Sequence, residues 1–439
     1  MRKGTRIGAW GAALGLAVAL AGCTGSVSSA PHQQASSPVR RASTAPPPLA
    51  AGAPAPGGGL SPAQIQAAYD LGPLLRRGID GKGQTIVIVD SFGSPTIGHD
   101  LAVFDQQFGL PPPPSLRVIQ PAGAVPPYRP SGTRTGWAGE TTLDVEWAHV
   151  MAPGAKILLV ETPTAENEGR TGFPQIVPAE EYVIRHHLGG VISQSLGATE
   201  GTFPSAAAIR QLRGAYQLAA RPAYRVTVLA STGDNGAAGQ TYNMRTYFTT
   251  PQVGWPASDP LVTAVGGTQL DLASNGTRRG PDVAWPASGG GRSAVFARPA
   301  YQDGVVGVVG RQRGIPDISM NAACASSVAV FGSYSGVPAW STACGTSVAA
   351  PLFAGIVALA DQYAGHTLGL INPALYTMAA RHDRGIVDIR QGNNSWQFTS
   401  RGETHLVKGF TAQPGYDLVA GVGTVDAALF VPELARTAG

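Results

Sequence analysis

Two short segments contain the residue types of a serine hydrolase but not its usual histidine. Residues 345–351 place Ser347 after a glycine and a threonine and before small residues that end at a proline. Residues 139–144 place Glu140 and Asp144 four positions apart, so both carboxyl groups share one face of a helix. A serine at a helix N-terminus lies near the positive end of the helix dipole, which stabilises an alkoxide or oxyanion. This set predicts a serine nucleophile that acid side chains activate.

Simpler explanations exist for the same residues. A Gly-Thr-Ser triplet is also typical of an ordinary helix cap, and two acids four positions apart are often solvated on a surface. The apolar residues 352–359 and the largely apolar residues 143–155 favour the chemical interpretation. His149 does not replace the missing histidine, because at about 100° per residue it lies across the helix from Glu140. We expect His149 to be a core or helix-end residue.

These segments resemble the sedolisins, the serine-carboxyl peptidases, which share a nucleophile segment with the subtilisins. A subtilisin also needs a histidine at a His-Gly helix start, and the chain has no His-Gly pair. The resemblance implies that Ser347 is the nucleophile, that Glu140 is its general base and that Asp144 orients Glu140.

The resemblance also assigns a role to Asp234, in residues 231–237. It implies that Asp234 replaces the asparagine of a subtilisin oxyanion hole, whereas an aspartate before Asn-Gly is also common in turns. An oxyanion donor must carry a proton, so Asp234 would have to be neutral, and activity is expected at acidic pH. Some relatives add a glutamate at the end of the first strand, where this chain has Asp90, and a tryptophan near the third strand, where this chain reads Ser195-Leu196-Gly197.

Near the end of the chain, residues 387–417 resemble the sedolisin calcium loop. The resemblance implies one structural Ca²⁺ ion, bound by two carboxylates and three backbone carbonyls: Asp388, Asp417, Ile389, Gln413 and Gly415. Mixed carboxylate and carbonyl oxygens are the ligands that Ca²⁺ prefers. The alternative is a pair of turn aspartates.

Alternating strands and helices must position these residues. Five short β-branched runs predict strands at 85–89, 156–160, 190–193, 226–230 and 261–265, and helices are expected near 139–150, 178–188, 205–220 and 347–364. Continuous apolar strands indicate a sheet covered on both faces. With the resemblance, this predicts an α/β, subtilisin-like three-layer fold with a mainly parallel central sheet, helices on both faces and the site at the carboxyl ends of the strands.

The N-terminus is typical of an exported protein. Residues 1–23 have a basic start, a short apolar run and a Leu-Ala-Gly-Cys end, which predicts a lipoprotein-type signal peptide with Cys23 lipidated. The protein is then expected in the cell envelope, anchored to the outer face of the cytoplasmic membrane. The alternative is ordinary secretion with Cys23 incidental.

Composition defines the remaining organisation. Residues 24–59 are rich in Ala, Pro, Ser and Gly and predict a flexible tether, and residues 60–432 predict one peptidase domain. The net charge of +4 has no clustered basic stripe, which argues against nucleic acid as a partner. Protein or peptide substrates and a monomer are expected.

Two cysteines remain if Cys23 is lipidated. Cys324 and Cys344 form an even pair in an oxidising compartment, and a disulfide between them would clamp the residues before Ser347. Two buried thiols are the alternative.

The sequence therefore favours a serine-carboxyl endopeptidase that is active at acidic pH. Two other functions stay open. One is a catalytically silent lipoprotein that binds peptides or a protein on the same fold. The other is a subtilisin-type serine peptidase, which predicts activity near neutral pH and dependence on a histidine.

Overall fold

The computed structural model describes residues 55–439. The predicted signal peptide (1–23), Cys23 and most of the predicted tether (24–59) lie outside the described residues. The strands of the described part are β1 (Thr85–Ser91), β2 (Leu116–Ile119), β3 (Lys156–Thr162), β4 (Val191–Gln194), β5 (Ala198–Thr199), β6 (Thr227–Ser231), β7 (Gly254–Trp255), β8 (Thr263–Gln269), β9 (Val283–Ala284), β10 (Gly291–Ala297), β11 (Gln312–Ile315), β12 (Ile318–Asn321), β13 (Val328–Gly332), β14 (Ala339–Ala343), β15 (Ile386–Val387), β16 (Trp396–Ser400), β17 (Glu403–Val407) and β18 (Thr424–Val425).

The helices of the same part of the chain surround the sheet. They are α1 (Pro62–Ala68), α2 (Gly72–Leu75), α3 (Ile97–Phe108), α4 (Gly132–Met151), α5 (Phe173–Arg185), α6 (Ala206–Gln211), α7 (Gly214–Ala219), α8 (Val306–Val309), α9 (Thr346–Ala364), α10 (Asn372–Ala380) and α11 (Ala427–Ala438). Short 3₁₀ turns cover Glu200–Thr202, Ala300–Val305 and Cys324–Ser326.

The central sheet is mainly parallel, as predicted. Its strand order is β12-β8-β6-β4-β1-β3-β2, and β9 adds an antiparallel pair at β8. Ile86 of β1 is in register with Ile157 on one side and Val191 on the other. The five predicted strands are β1, β3, β4, β6 and β8 of this sheet. Strands β2 and β12 were not predicted from the sequence.

Alternate residues of each strand enter two hydrophobic cores. Ile86 and Ile88 of β1 belong to the core that contains α4 and α9, and Val87 and Val89 belong to the core that contains α5 and α7. Both faces of the sheet are therefore covered, which explains why its strands read as continuous apolar runs. The predicted three-layer α/β fold is confirmed.

Helix α4 begins before the predicted position because Ser131 caps it. The Ser131 hydroxyl accepts a hydrogen bond from the backbone N–H of Arg134 at 3.2 Å. Further along, α4 crosses α9 closely at a glycine. A Cβ atom on Gly355 would lie 2.3 Å from the Cβ of Met151, so only glycine lets the two helices approach this far. This contact fixes the position of α4 relative to α9.

The single helix predicted at 205–220 is two helices, α6 and α7. Arg213 lies between them and leaves the helical path. Its guanidinium donates two hydrogen bonds to the buried carboxylate of Asp259, at 2.6 and 2.8 Å. A bidentate pair with a buried acid stabilises this break.

The last helix extends the folded unit past the predicted end at Pro432. Helix α11 continues to Ala438, and its Leu434 is fully buried. Phe430 of α11 packs on Phe353 of α9 with ring centroids 6.0 Å apart. Within residues 55–439, α9 is the one helix long and apolar enough to span a membrane, and 83% of that stretch is buried inside the protein. It is the core helix of this fold.

The predicted disulfide is present. Cys324 and Cys344 are bonded, with their Cα atoms 4.8 Å apart. Gly345 follows directly, and its N–H donates to the carbonyl of Ala322 at 2.7 Å. The segment that enters α9 is therefore held covalently and by its backbone.

Candidate active site

The four predicted catalytic residues come together at the carboxyl edge of the parallel sheet. Glu140 and Asp144 project from α4, Ser347 is the second residue of α9, and Asp234 follows β6. Glu140, Asp144 and Ser347 are buried, Glu140 to 2% exposure and Ser347 to 4%, and Asp234 is partly exposed. Residues more than 200 positions apart in the chain thus form one cluster.

Glu140 and Ser347 form the centre of this cluster. Burial raises the pKa of the Glu140 carboxyl well above its usual range, the Ser347 hydroxyl beside it opposes this rise, and the charges of Asp90 and Asp234 add to it. The Oε1 atom of Glu140 has no hydrogen-bond partner among the described residues. A buried carboxylate that faces a serine hydroxyl can accept its proton.

Asp144 is connected to Ser347 through Ser195, which follows β4. The Ser195 hydroxyl lies 2.9 Å from Oδ1 of Asp144 and 3.3 Å from the backbone carbonyl of Ser347. That carbonyl lacks its helical partner because Pro351, four residues later, has no N–H. The Ser195 hydroxyl can therefore donate a hydrogen bond either to Asp144 in α4 or to the carbonyl of Ser347 in α9.

Asp144 itself is fully buried. Burial raises the pKa of its carboxyl well above the usual range, Asp90 and Glu140 raise it further, and the Ser195 hydroxyl opposes them. Carboxyl groups this close cannot all ionise, so they titrate as a coupled set. Protons are therefore retained in this site to a higher pH than in isolated acids.

Asp234 is held through one of its two carboxyl oxygens. Its Oδ1 accepts hydrogen bonds from the N–H of Thr346 at 2.7 Å and from the Thr346 hydroxyl at 2.9 Å. Its Oδ2 faces Gly345, where an added Cβ would lie 2.6 Å away. Burial raises the pKa of Asp234, and the two Thr346 bonds oppose this. A proton on this residue would therefore be carried by Oδ2.

Asp90, near the end of β1, is a further member of the acid cluster. Burial raises the pKa of Asp90 to about 7, the Thr141 hydroxyl opposes this, and Glu161 on β3 adds to it. The charge of Asp90 in turn raises the pKa of Glu140 and of Asp144. Leu196 lies in the core that contains α5 and α7, and it lines the cavity that opens onto Ser347.

His149 does not belong to this cluster. It is fully buried, and its Nε2 lies 2.8 Å from the carbonyl of Pro111 and 3.3 Å from Asp105. The expectation of a core histidine near the end of α4 is confirmed.

A cavity of about 730 Å³ opens onto Ser347. Its walls come mainly from the segment after β4, the turn after β6 and residues 238–254. Asp234, Ser195 and Ser347 all line it, so a bound chain would lie against the nucleophile and the expected oxyanion donor. Glu168, a carboxyl group not predicted from the sequence, also lines the cavity.

The predicted calcium residues lie together in the segment after β15. Oδ1 of Asp388 is buried without a hydrogen-bond partner, while its Oδ2 accepts from Arg390 at 2.8 Å and from the Gly415 N–H at 3.1 Å. Oδ2 of Asp417 accepts from the Gln413 N–H at 3.0 Å. The described residues hold no cluster of three or more His, Cys, Asp or Glu side chains that fits a metal.

The donor set of this segment nevertheless fits a hard cation. Its two acids leave one buried oxygen free, and in the described part of the chain no hydrogen bond is received by the carbonyls of Ile389, Gln413 or Gly415. Backbone carbonyls and carboxylates together are a calcium donor set.

Comparisons with known proteins show the family to which the chain belongs. The model of the subtilase family matches residues 134–393, more than half of the chain. Kumamolisin from Bacillus sp. (strain MN-32) is 30% identical over 379 residues, which cover 83% of this chain and 61% of kumamolisin. The chain is a member of the subtilase family, of the sedolisin type.

Other relatives of this sedolisin-type protein are similar over a shorter range. Sedolisin from Pseudomonas sp. (strain 101) is 30% identical over 303 residues, covering 66% of this chain and 48% of that protein. Human tripeptidyl-peptidase 1 is 31% identical over 314 residues, covering 66% and 50%. The chain thus spans about half to three fifths of the length of these relatives.

A solved structure has the same fold. Pseudomonas sedolisin, a serine-carboxyl proteinase complexed with two molecules of pseudo-iodotyrostatin, superimposes with a TM-score of 0.70 at 24% identity. The match covers 88% of this chain and all of the other. It establishes the subtilisin-like fold of this sedolisin-type protein.

Proposed function

We propose that this protein is a serine-carboxyl endopeptidase that cleaves peptide bonds at acidic pH. The observation that carries the proposal is the position of Ser347, buried at the start of α9 in the wall of a substrate-sized cavity, with the buried carboxyl of Glu140 beside it. The relatives named kumamolisin, sedolisin and tripeptidyl-peptidase support a peptidase. A subtilisin-type mechanism is disfavoured because His149 is turned to Pro111 and away from the serine.

The proposed reaction assigns one step to each residue. Ser347 Oγ attacks the scissile carbonyl while Glu140 accepts its proton, and Glu140 then returns that proton to the leaving amine. Asp144 orients Glu140. Asp234, protonated at Oδ2, donates a hydrogen bond to the oxyanion, and the N-terminus of α9 adds its positive dipole. Water then releases the acyl group by the same proton transfers.

The remaining parts of the proposal concern location and stability. We propose that residues 387–417 bind one structural Ca²⁺ through Asp388, Asp417 and the carbonyls of Ile389, Gln413 and Gly415. Export, with a lipid on Cys23, is proposed from residues 1–23, and the Cys324–Cys344 disulfide is consistent with an oxidising compartment.

The direct test compares wild-type protein with Ser347→Ala and Glu140→Gln on internally quenched peptides between about pH 3 and pH 7. Both variants should lose at least about 10³-fold in kcat/KM, because each removes a partner of the proton transfer. Circular dichroism should show an unchanged fold. Full activity in either purified variant would remove the assignment.

The competing function is a silent peptide-binding protein on the same fold. Folded, calcium-loaded wild type that cleaves no peptide at any pH in this range would establish that alternative. Internally quenched peptides with blocked ends also separate endopeptidase from exopeptidase activity, because an exopeptidase requires a free terminus.

A further inference from the structure

Glu168 is a buried acid in the wall of the cavity that holds Ser347. It lies in the segment between β3 and α5, is 8% exposed and lines the same 730 Å³ space as Asp234 and Ser347. The catalytic steps proposed above make no use of it. A buried carboxylate is costly unless hydrogen bonds or an opposite charge stabilise it, so the groups around Glu168 decide what it can bind.

Hydroxyl and amide groups hold the Glu168 carboxyl in place. Its Oε2 accepts from the Thr199 N–H at 2.8 Å and from the Thr202 hydroxyl at 3.0 Å. Its Oε1 accepts from the Thr199 hydroxyl at 3.1 Å. Oε1 thus keeps a free lone pair. Within residues 55–439, no arginine, lysine or histidine forms an ion pair with Glu168.

The charged and titratable groups around Glu168 are three acids, two arginines and two tyrosines. Glu166 lies on the same segment, and Asp234 lines the same cavity. Glu200, beside Thr199, is turned away to the Ser293 hydroxyl and the Ala294 N–H. The other titratable groups are the cavity-lining Arg245 and Tyr247, the exposed Tyr242 near Gly169, and the exposed Arg170. Neither arginine forms an ion pair with Glu168, so its carboxyl group is free to pair with a cationic ligand.

We infer that Glu168 makes this cavity select peptides with a lysine or arginine side chain close to the cleaved bond. This inference rests on the proposed function, whose substrate class it specifies. The long aliphatic stem of either side chain fits a cavity walled largely by small residues, and the cationic end would reach the free lone pair of Glu168 Oε1.

The pairing has a measurable pH dependence. Burial raises the pKa of Glu168 to about 7, and Thr199 and Thr202 oppose this rise. A bound cation lowers the pKa of an adjacent carboxyl, so binding below about pH 7 expels a proton. The preference for lysine over the isosteric norleucine should then grow up to about tenfold per pH unit between about pH 5 and pH 7.

The first experiment measures kcat/KM for matched lysine, norleucine and glutamine peptides with wild type and Glu168→Gln. Wild type should favour lysine increasingly with pH, and Glu168→Gln should lose most of that preference and its pH dependence. Glu166→Gln is the matched control, because it removes a buried acid of the same segment that does not line the cavity. An unchanged lysine preference in Glu168→Gln, or equal rates for lysine and glutamine peptides in wild type, overturns the inference.

The second experiment does not depend on turnover or on folding of Glu168→Gln. Calorimetry with the inactive Ser347→Ala protein, in two buffers of different ionisation enthalpy, should show release of up to about one proton when the lysine peptide binds below pH 7. The norleucine peptide should release none. Equal binding of both peptides without proton release contradicts the role of Glu168. Absence of cleavage by wild type, together with selective binding here, contradicts only the proposed peptidase activity.

Discussion

At the position expected to stabilise the oxyanion, Asp234 can donate a hydrogen bond only when it is protonated. Thr346 occupies Oδ1 with two donors, so an amide in place of the carboxyl would keep its oxygen toward Thr346. Its NH₂ group would then take the place of Oδ2. Substitution of Asp234 by asparagine therefore removes the titrating proton but keeps a hydrogen-bond donor, whereas substitution by alanine removes both.

We predict that Asp234→Ala lowers kcat by about 10²–10³, the usual cost of removing one oxyanion donor. Asp234→Asn should retain more activity than Asp234→Ala, because its amide N–H remains a donor at every pH. The measurement is kcat from about pH 3 to pH 7 for both variants and wild type. If Asp234→Ala is as active as wild type, Asp234 is not the donor.

Some site residues could be identified from sequence and others could not. Glu140 and Asp144 were found because their spacing on one helix is a local property, and Ser347 because it begins an apolar helix. Glu168 was missed because its significance depends on Thr199, 31 positions away. Ser195 lies near the Ser347 carbonyl, which has no helical partner because Pro351 lacks an N–H. This contact joins residues 152 positions apart, so the sequence alone does not show it.

At the scale of elements, prediction succeeded where burial alone decides the structure. The strands β1, β3, β4, β6 and β8 are continuous apolar runs, and each was predicted. Strand β2 was missed because it is a partly exposed edge strand that contains Arg117, and β12, the four-residue strand at the opposite edge, was missed as well. Both are defined by pairing with a neighbour and not by their own composition.

The segment after β15 provides the prediction at this scale. If it binds Ca²⁺, the ion stabilises the folded state by mass action, by about 2.7 kcal/mol at a hundredfold excess over Kd. We expect a chelator to lower the Tm of Ser347→Ala protein, chosen to avoid self-cleavage, and added Ca²⁺ to restore it. Asp388→Ala should abolish the response.

Asp271→Asn is the control for this experiment, since it changes an exposed acid in a surface ion pair with Arg279. Its response to chelator and Ca²⁺ should match that of the parent protein. A Tm that does not depend on Ca²⁺ in the parent protein contradicts the calcium assignment and leaves the fold and the catalytic proposal unchanged.

Across the described part of the molecule, burial raises the pKa values of acidic side chains. Every Asp and Glu pKa shift resolved in residues 55–439 is upward, with burial as the largest cause. Glu180 is an example far from the candidate site, fully buried with neither oxygen hydrogen-bonded to the described residues. The folded protein therefore binds more protons than the unfolded chain, and its stability should fall as pH rises.

Asp361 in α9 makes this testable. Burial raises the pKa of Asp361 to about 8, opposed by the Leu368 N–H and the charge of Arg225. Its unfolded pKa is about 3.9, so its contribution to stability is complete below about pH 4 and is lost as pH rises through about 8. Each buried acid with a raised pKa steepens the decline of the free energy of unfolding by up to about 1.4 kcal/mol per pH unit.

We predict that the free energy of unfolding of Ser347→Ala protein, measured with urea at constant Ca²⁺, falls steadily from about pH 4 to pH 8. Adding Asp361→Asn should flatten this decline, because the amide oxygen still accepts from the Leu368 N–H, at 2.9 Å in the parent, but does not titrate. A stability that rises over this range, or an identical slope in both proteins, would show that buried acids do not govern it. A decline that flattens in Asp361→Asn would mean that the acidic pH proposed for catalysis is also the pH at which this fold is most stable.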